Sequence, residues 1–120
     1  KILFKKKNIV FNQSNSMNLT FVNNKKYDLI WIDGAHSYPV IPIDIMNSLR
    51  LINKNGIILC DDIILKSNNY NQYSSKASIE TLSILKKAGI IDYTLFYKRL
   101  SVEHNSIPNN RKFVAYITKI

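Results

Sequence analysis

The chain has 120 residues, 46% of them hydrophobic and 21% charged, and its 17 Lys and Arg against 8 Asp and Glu give a formal net charge of +9. This composition excludes extended disorder, and no apolar run approaches the roughly 18 residues that cross a bilayer, so we expect no membrane partner. The single cysteine, Cys60, excludes an internal disulfide framework and indicates a reducing, cytoplasmic location.

The basic residues are scattered along the chain. Lysines number 14 and arginines 3, and the densest run is only three residues long, at positions 5–7. Nucleic-acid-binding faces cluster their Lys and Arg against phosphates. We therefore expect no nucleic-acid partner, and keep a basic nucleic-acid-binding α/β domain as an alternative.

The first third of the chain alternates apolar and polar segments. Residues 8–11 are apolar and partly β-branched and predict a strand, and residues 16–22 predict a short helix capped by Ser14 or Ser16. Residues 27–33 predict the clearest strand, which stops at a glycine. Its continuous apolar stretch is typical of a strand covered on both faces.

A helix is predicted to begin at Pro39, with Asp44 near the positive end of its dipole, and to stop at residues 53–56. Apolar residues recur on it at helical spacing: Ile41, Ile45, Leu49 and Ile52.

The remaining pattern predicts one more buried strand, one helix and a pair of strands. Residues 56–60 form the buried strand, residues 75–88 the helix ended by Gly89, and residues 93–99 and 112–119 the closing strands. The order β-α-β-α-β-α-β-β predicts a parallel α/β sheet with an antiparallel pair at its edge.

Three of the eight acids follow the two buried strands, namely Asp33 after the first and Asp61 and Asp62 after the second. Ligands of open parallel sheets bind beyond these carboxyl ends. Facing carboxylates repel unless a cation lies between them, and their oxygens suit Mg²⁺, Ca²⁺ or Mn²⁺. Capping and turn roles for these acids stay open. His36, three residues after Asp33, is placed to act as a general base, or is an ordinary loop residue.

Two motifs carry a family resemblance. Residues 33–38 read Asp-Gly-Ala-His-Ser-Tyr, and residues 55–62 read Asn-Gly-Ile-Ile-Leu-Cys-Asp-Asp. Together they resemble class I S-adenosylmethionine (SAM)-dependent methyltransferases whose fourth strand ends in Asp-Gly-x-His-x-Tyr, related to catechol and macrolide-sugar O-methyltransferases. The resemblance spans about residues 5–120. It implies a Rossmann-like α/β sheet that lacks the first two strands, so that residues 1–120 form the C-terminal part of a single methyltransferase domain.

The resemblance also implies roles for the acids and the histidine. Asp33, Asp61 and Asp62 match ligands of Mg²⁺ or another divalent cation. His36 stands where the catechol enzymes hold a catalytic lysine, and with Asp33 it would serve catalysis by taking the proton from a small-molecule hydroxyl acceptor.

Four residues match positions that bind SAM in these families: Ser16, Asp33, Gly34 and Ala35. The acid often found beside the serine is here Asn15, and Gly34 and Ala35 replace bulkier residues that pack on the adenine.

The glycine-rich turn that binds SAM in these enzymes has no counterpart here, because the three glycines stand alone at positions 34, 56 and 89. We therefore expect methyl transfer from the complete protein and no activity from this fragment alone. An apolar sheet edge should be exposed where the first two strands would pair, with a tendency to self-associate.

Two other classes fit part of the pattern. A phosphoacceptor receiver domain has strand-end aspartates, but its paired acids precede the single one, whereas here Asp33 precedes Asp61 and Asp62. A non-catalytic methyltransferase-like binding module stays open.

Overall fold

The computed structural model describes residues 8–19, 24–65, 75–98 and 112–120. After a 3-10 turn at Ser16–Asn18, the elements are β1 (Tyr27–Ile32), α1 (Val40–Leu51), β2 (Ile52–Ile64), α2 (Ala77–Lys87), β3 (Ile91–Tyr97) and β4 (Lys112–Lys119).

The four strands form one mixed sheet in the order β1-β2-β4-β3. β1 and β2 are parallel, whereas β4 runs antiparallel to both β2 and β3. The predicted α/β fold with a closing antiparallel pair is confirmed. The segment between the last two strands, residues 99–111, lies outside the described residues.

Both helices pack on one face of the sheet. The apolar stripe predicted for α1 is buried there, with Ile41 and Ile45 fully enclosed. The core cluster joins both helices to all four strands: Ile32, Ile41, Ile45, Leu49, Ile52, Ile58, Cys60, Ile63, Ala77, Leu82, Leu85, Ile91, Ala115 and Ile117.

The opposite face of β1 is open, so the prediction that this strand is covered on both faces was wrong. Leu29 is 58% exposed and Trp31 53% exposed, whereas Ile30 and Ile32 contact the core. Successive side chains of a strand point to opposite faces. The helices of the described part cover only the face that carries Ile30 and Ile32.

The segment before β1 also differs from its prediction. Residues 8–11 form no strand, and Val10 and Phe11 are largely exposed, because among the described residues no strand lies beside them to supply hydrogen bonds. The helix predicted over residues 16–22 begins with a 3-10 turn at Ser16–Asn18, and Leu19 is α-helical. The cap of this turn is Asn15, not Ser14 or Ser16, and its side chain accepts a hydrogen bond from the Met17 amide at 3.0 Å. Residues 20–23 lie outside the described part.

The junction of α1 and β2 has no loop. The helix ends at Leu51 and residues 53–56, predicted as its stop, belong to β2. Between the pairs Tyr27↔Ile52 and Leu29↔Ile57 the register shifts, which accommodates the extra residues of β2. A Cβ on Gly56 would lie 2.7 Å from Ile52 Cγ1, so this close packing requires glycine.

The second helix ends as predicted. Gly89 follows α2 with φ +69°, and its amide donates to the Lys86 carbonyl at 3.0 Å. This left-handed conformation favours glycine and ends the helix. No helix of the described part is long and apolar enough to cross a membrane.

Candidate active site

The two strand-end acid groups lie at the same rim of the sheet. Ile32↔Cys60 is the last parallel pair of β1 and β2, and Asp33 and Asp61 come directly after it. The sequence predicted that this strand ends before Asp61 and Asp62, but β2 continues through them to Ile64. It does so through a register shift against β4, at which Asp62 has φ +54°.

The buried thiol of Cys60 lies near four carboxylates of this rim. Its pKa is raised to about 12, first by burial and then by the charges of four carboxylates, those of Asp61, Asp44, Asp33 and Asp62 in that order. Four of the chain's eight acids therefore act on one buried thiol, although the chain as a whole carries +9.

One half of the rim, which we call the cavity side, consists of Ser16, Asp33, Gly34, Ala35, His36 and Asp44. A cavity of about 340 Å³ opens at the end of β1. Its wall is formed by the 3-10 turn, the end of β1 and one face of α1: Ser16, Leu19, Ile30, Trp31, Ile32, Asp33, Gly34, Ala35, Val40, Asp44, Asn47 and Ser48. All four residues predicted to bind SAM thus lie on one cavity. Ligand sites in proteins are apolar concavities of about this size or larger with a few polar groups.

Helix α1 fixes the position of Ser16. Asn47 Nδ2 donates to the Ser16 carbonyl at 2.9 Å, and the Ser16 side chain lies beside the carboxylate of Asp44, one helical turn before Asn47. Ser16, which stands 31 positions before Asn47 in the chain, is thereby held at the cavity wall.

Asp44 is a buried carboxylate on the cavity wall, 9% exposed. Burial raises its pKa, and the Ser16 hydrogen bond and the charge of His36 offset this only in part. Its Oδ1 has no hydrogen-bond partner among the described residues, and its Oδ2 would lie 3.8 Å from a Cβ on Gly34. The site therefore contains an acceptor that the described fold leaves unused.

Asp33 and His36 form a loose pair. His36 Nε2 lies 3.9 Å from Asp33 Oδ1, with the imidazole 10% exposed and the carboxylate 53% exposed. His36 Nδ1 is buried without a partner among the described residues. Asp33 borders the cavity, whereas His36 lies behind it and does not line the wall.

The other half of the rim, which we call the lysine side, consists of Asp61, Asp62, Lys98 and Lys112. Lys98 Nζ donates to Asp61 Oδ2 at 2.6 Å and to Asp62 Oδ1 at 3.1 Å, and Lys112 Nζ donates to Asp62 Oδ2 at 2.5 Å. Burial raises the pKa of Asp62, but the hydrogen bonds from Lys112 and Lys98 outweigh it and hold that pKa below its usual range.

The predicted metal ligands do not fit a divalent ion. Asp33 pairs with His36, whereas Asp61 and Asp62 bind lysine ammonium groups. In the described ranges no three His, Cys, Asp or Glu residues come together as a ligand set. Positive charge is supplied to these carboxylates by the chain itself.

Sequence reasoning missed the two lysines and the ligand-facing position of Asp44. Asp44 lies on the apolar stripe of α1 with Ile41 and Ile45. An acid at a helical position that the spacing predicts to be buried indicates a special role, because acids are rarely buried. Lys98 and Lys112 stand at the same end of the predicted strand pair, next to the paired residues Tyr97 and Phe113. The approach of Lys98 to Asp61 and Asp62, and of Lys112 to Asp62, depends on the order of the strands in the sheet.

Tyr38 illustrates a residue whose role is structural. Its hydroxyl donates to Glu80 Oε2 at 2.9 Å and so ties the loop after β1 to α2. Burial and the adjacent Glu80 raise its pKa.

Comparison with known proteins bears on this site. The sequence model of a family described as a methyltransferase domain matches residues 5–63, just under half of the chain. No curated protein sequence matches.

Two solved structures share the fold. A Klebsiella pneumoniae protein described as an O-methyltransferase has a TM-score of 0.58 at 12% identity, over 79% of this chain and 41% of that one. A Clostridium thermocellum protein described as an rRNA methylase has a TM-score of 0.57 at 12% identity, over 88% of this chain and 57% of that one.

The chain has the Rossmann-like fold of these methyltransferases and spans less than two thirds of either neighbour's length. The matches support a methyltransferase family; the Asp-Gly-x-His-x-Tyr type stays a prediction.

Proposed function

We propose that the complete protein is a SAM-dependent methyltransferase that methylates a hydroxyl of a small molecule, and that residues 1–120 form the C-terminal part of its single catalytic domain. The observation that carries this proposal is the cavity at the carboxyl end of β1, which Ser16, Asp33, Gly34 and Ala35 share. The reducing environment indicated by a lone buried cysteine supports a cytoplasmic location.

The carboxylates of the cavity side suit SAM. SAM supplies an electrophilic methyl group on a positively charged sulfonium. Asp33 and Asp44 give the wall negative charge. The unused Asp44 Oδ1 is buried, and it can accept a hydrogen bond from a ligand after a small movement of the side chain. Gly34 leaves room beside Asp44 where a larger side chain would stand.

Asp33 and His36 are the groups placed to remove a proton from the acceptor hydroxyl. Asp33 faces the cavity and His36 lies 3.9 Å behind it, a separation typical of ligand-free sites whose hydrogen bonds tighten on binding. In this proposal Asp33, on the cavity wall, takes the hydroxyl proton and passes it to His36, which is the final acceptor.

A small neutral acceptor is favoured over RNA, because the carboxylates of Asp33 and Asp44 on the cavity wall would repel phosphate groups. We assign no step to a divalent ion, since Asp61 and Asp62 already bind Lys98 and Lys112.

A non-catalytic binding module would use the same cavity, so the two functions differ only in the need for a base. The acid-lined site with a buried histidine beside it favours the enzyme. A fragment limited to these residues should be inactive, because the glycine-rich turn that completes the cofactor site in related enzymes has no counterpart here.

The decisive experiment is SAM binding to the complete protein, followed by calorimetry and by the shift of the unfolding midpoint, with and without Mg²⁺. We expect binding in both conditions. Gly34→Val should weaken it at least tenfold, because the branched side chain projects toward Asp44 and the cavity.

Ala88→Val is the matched control, since Ala88 is exposed at the end of α2 and is not part of the cavity wall. Equal SAM affinity of wild type and Gly34→Val would contradict the site. SAM binding without methyl transfer to any hydroxyl acceptor would favour the binding module, and salt-sensitive RNA binding would favour an RNA acceptor.

A further inference from the structure

The carboxylate pair of the lysine side is held as a cation-binding pair would be. The side chain of Asp61 is only 8% exposed and that of Asp62 22% exposed. Two carboxylates at adjacent positions repel each other when ionised and need positive charge between them. The hydrogen bond from the Asp62 amide to Asp61 Oδ1, at 2.7 Å, satisfies one further oxygen of the pair.

Two lysines supply that positive charge from the closing strands. Lys98 bridges the two carboxylates, and Lys112 reaches the remaining oxygen of Asp62. The backbone fixes this geometry, since the Lys98 amide donates to the Lys112 carbonyl at 2.9 Å and Lys112 is paired with Ile64 of β2. Lys112 therefore reaches the acids from β4, the strand next to β2, and Lys98 reaches them from the end of β3.

We propose that the ammonium groups of Lys98 and Lys112 take the place of a divalent cation at Asp61 and Asp62, so that this protein neither binds nor needs such an ion there. The inference rests on the proposed function only in that these acids share the rim of the sheet with the proposed SAM site. An ammonium has three donors, and Lys98 gives two of them to the carboxylates.

The test measures divalent-cation binding directly, by calorimetric titration of Mn²⁺ and Mg²⁺ into the complete, EDTA-treated protein. Wild type should bind neither ion at millimolar concentration, and its methyl transfer should be unchanged by EDTA. The variant Lys98→Met/Lys112→Met exposes the carboxylate pair, so it should gain Mn²⁺ binding at least tenfold tighter than wild type and a rise of its unfolding midpoint with Mn²⁺.

Lys86→Met is the matched control. It removes an ion pair of the same 2.6 Å length, to Asp92, but the partner is a single carboxylate on an exposed strand, so no cation response should appear. Should the double variant not fold, wild type and Lys98→Gln decide the matter.

Mn²⁺ binding to wild type that Asp61→Asn abolishes would overturn the proposal, as would equal cation binding by wild type and the lysine variants. SAM affinity is titrated separately in each sample. Its absence would contradict the proposed function and leave the cation result standing.

Discussion

The cavity side and the lysine side treat their carboxylates in opposite ways. On the cavity side, burial raises the pKa of Asp44, and Oδ1 of this residue has no partner among the described residues. On the lysine side, hydrogen bonds from Lys112 and Lys98 overcome the effect of burial and lower the pKa of Asp62. The two sets of acids lie at one rim and both act on Cys60.

On the lysine side the fold already neutralises the charge of the acids. On the cavity side the acids lack such partners within the described part of the chain and can interact with a ligand. Salt-bridged carboxylates stabilise the folded chain and have little charge left for a ligand. A buried carboxylate without full compensation costs stability, and functional sites are where such costs are usually found. The cavity side is therefore the better candidate for ligand binding.

The largest effect is expected from His36→Gln, which keeps a polar side chain but removes the base. Methyl transfer by the complete protein should fall by about 10²–10⁴-fold, the usual contribution of a general base. SAM affinity should stay unchanged, because His36 does not line the cavity. Initial rates and calorimetry on the same samples check both statements.

Unchanged turnover of His36→Gln would remove this residue from the mechanism. A fall in SAM affinity equal to the fall in rate would mean that His36 supports the cavity wall instead. Ser83→Ala is a suitable control, since Ser83 lies on α2, outside the rim.

The open sheet face beside the cavity side should mediate self-association. In the described chain β1 is hydrogen-bonded only to β2, and Trp31 is 53% exposed on its uncovered face. Trp31→Ser should weaken self-association of the 120-residue chain about tenfold, which corresponds to about 1.4 kcal/mol. Sedimentation over a wide concentration range measures it.

Ile84→Ser provides the comparison, because Ile84 is 64% exposed on α2 and belongs to no sheet face. If wild type is monomeric at every concentration, or if both variants weaken association equally, the sheet face is not the contact.

The smallest effects concern stability and have opposite signs in the two halves of the rim. A raised folded-state pKa means that the contribution of Asp44 is present below its unfolded pKa and is lost as pH rises through the folded value. A lowered pKa means that Asp62 stabilises above its unfolded pKa, and that this is lost as pH falls through the folded value.

At pH 7, Asp44→Asn should therefore raise the free energy of unfolding by up to about 1 kcal/mol, whereas Asp62→Asn should lower it by about 1 kcal/mol because the lysines are partly exposed. Urea unfolding at pH 7 and again near pH 3 measures both. Changes of the same sign at pH 7, or differences from wild type that do not shrink in acid, would contradict the contrast between the two sides.

Periodicity located most elements, because the apolar stripes of α1 and α2 and the apolar stretches of β1 and β2 reflect burial that local sequence encodes. It failed for residues 8–11 and for the second face of β1. A strand needs a neighbour to supply hydrogen bonds, and an apolar side chain needs a covering layer. Neither can be read from the segment itself.

The sequence by itself determined that Asp33, Asp61 and Asp62 would meet at one rim, because parallel strands present their carboxyl ends together. Only the tertiary structure decided what each acid contacts. The register shift at Asp62 and the place of β4 between β2 and β3 bring Lys98 and Lys112 onto Asp61 and Asp62 within β2, while α1 turns Asp44 toward the cavity. Those contacts join residues far apart in the chain, and their partners follow from strand order and packing, which no local pattern specifies.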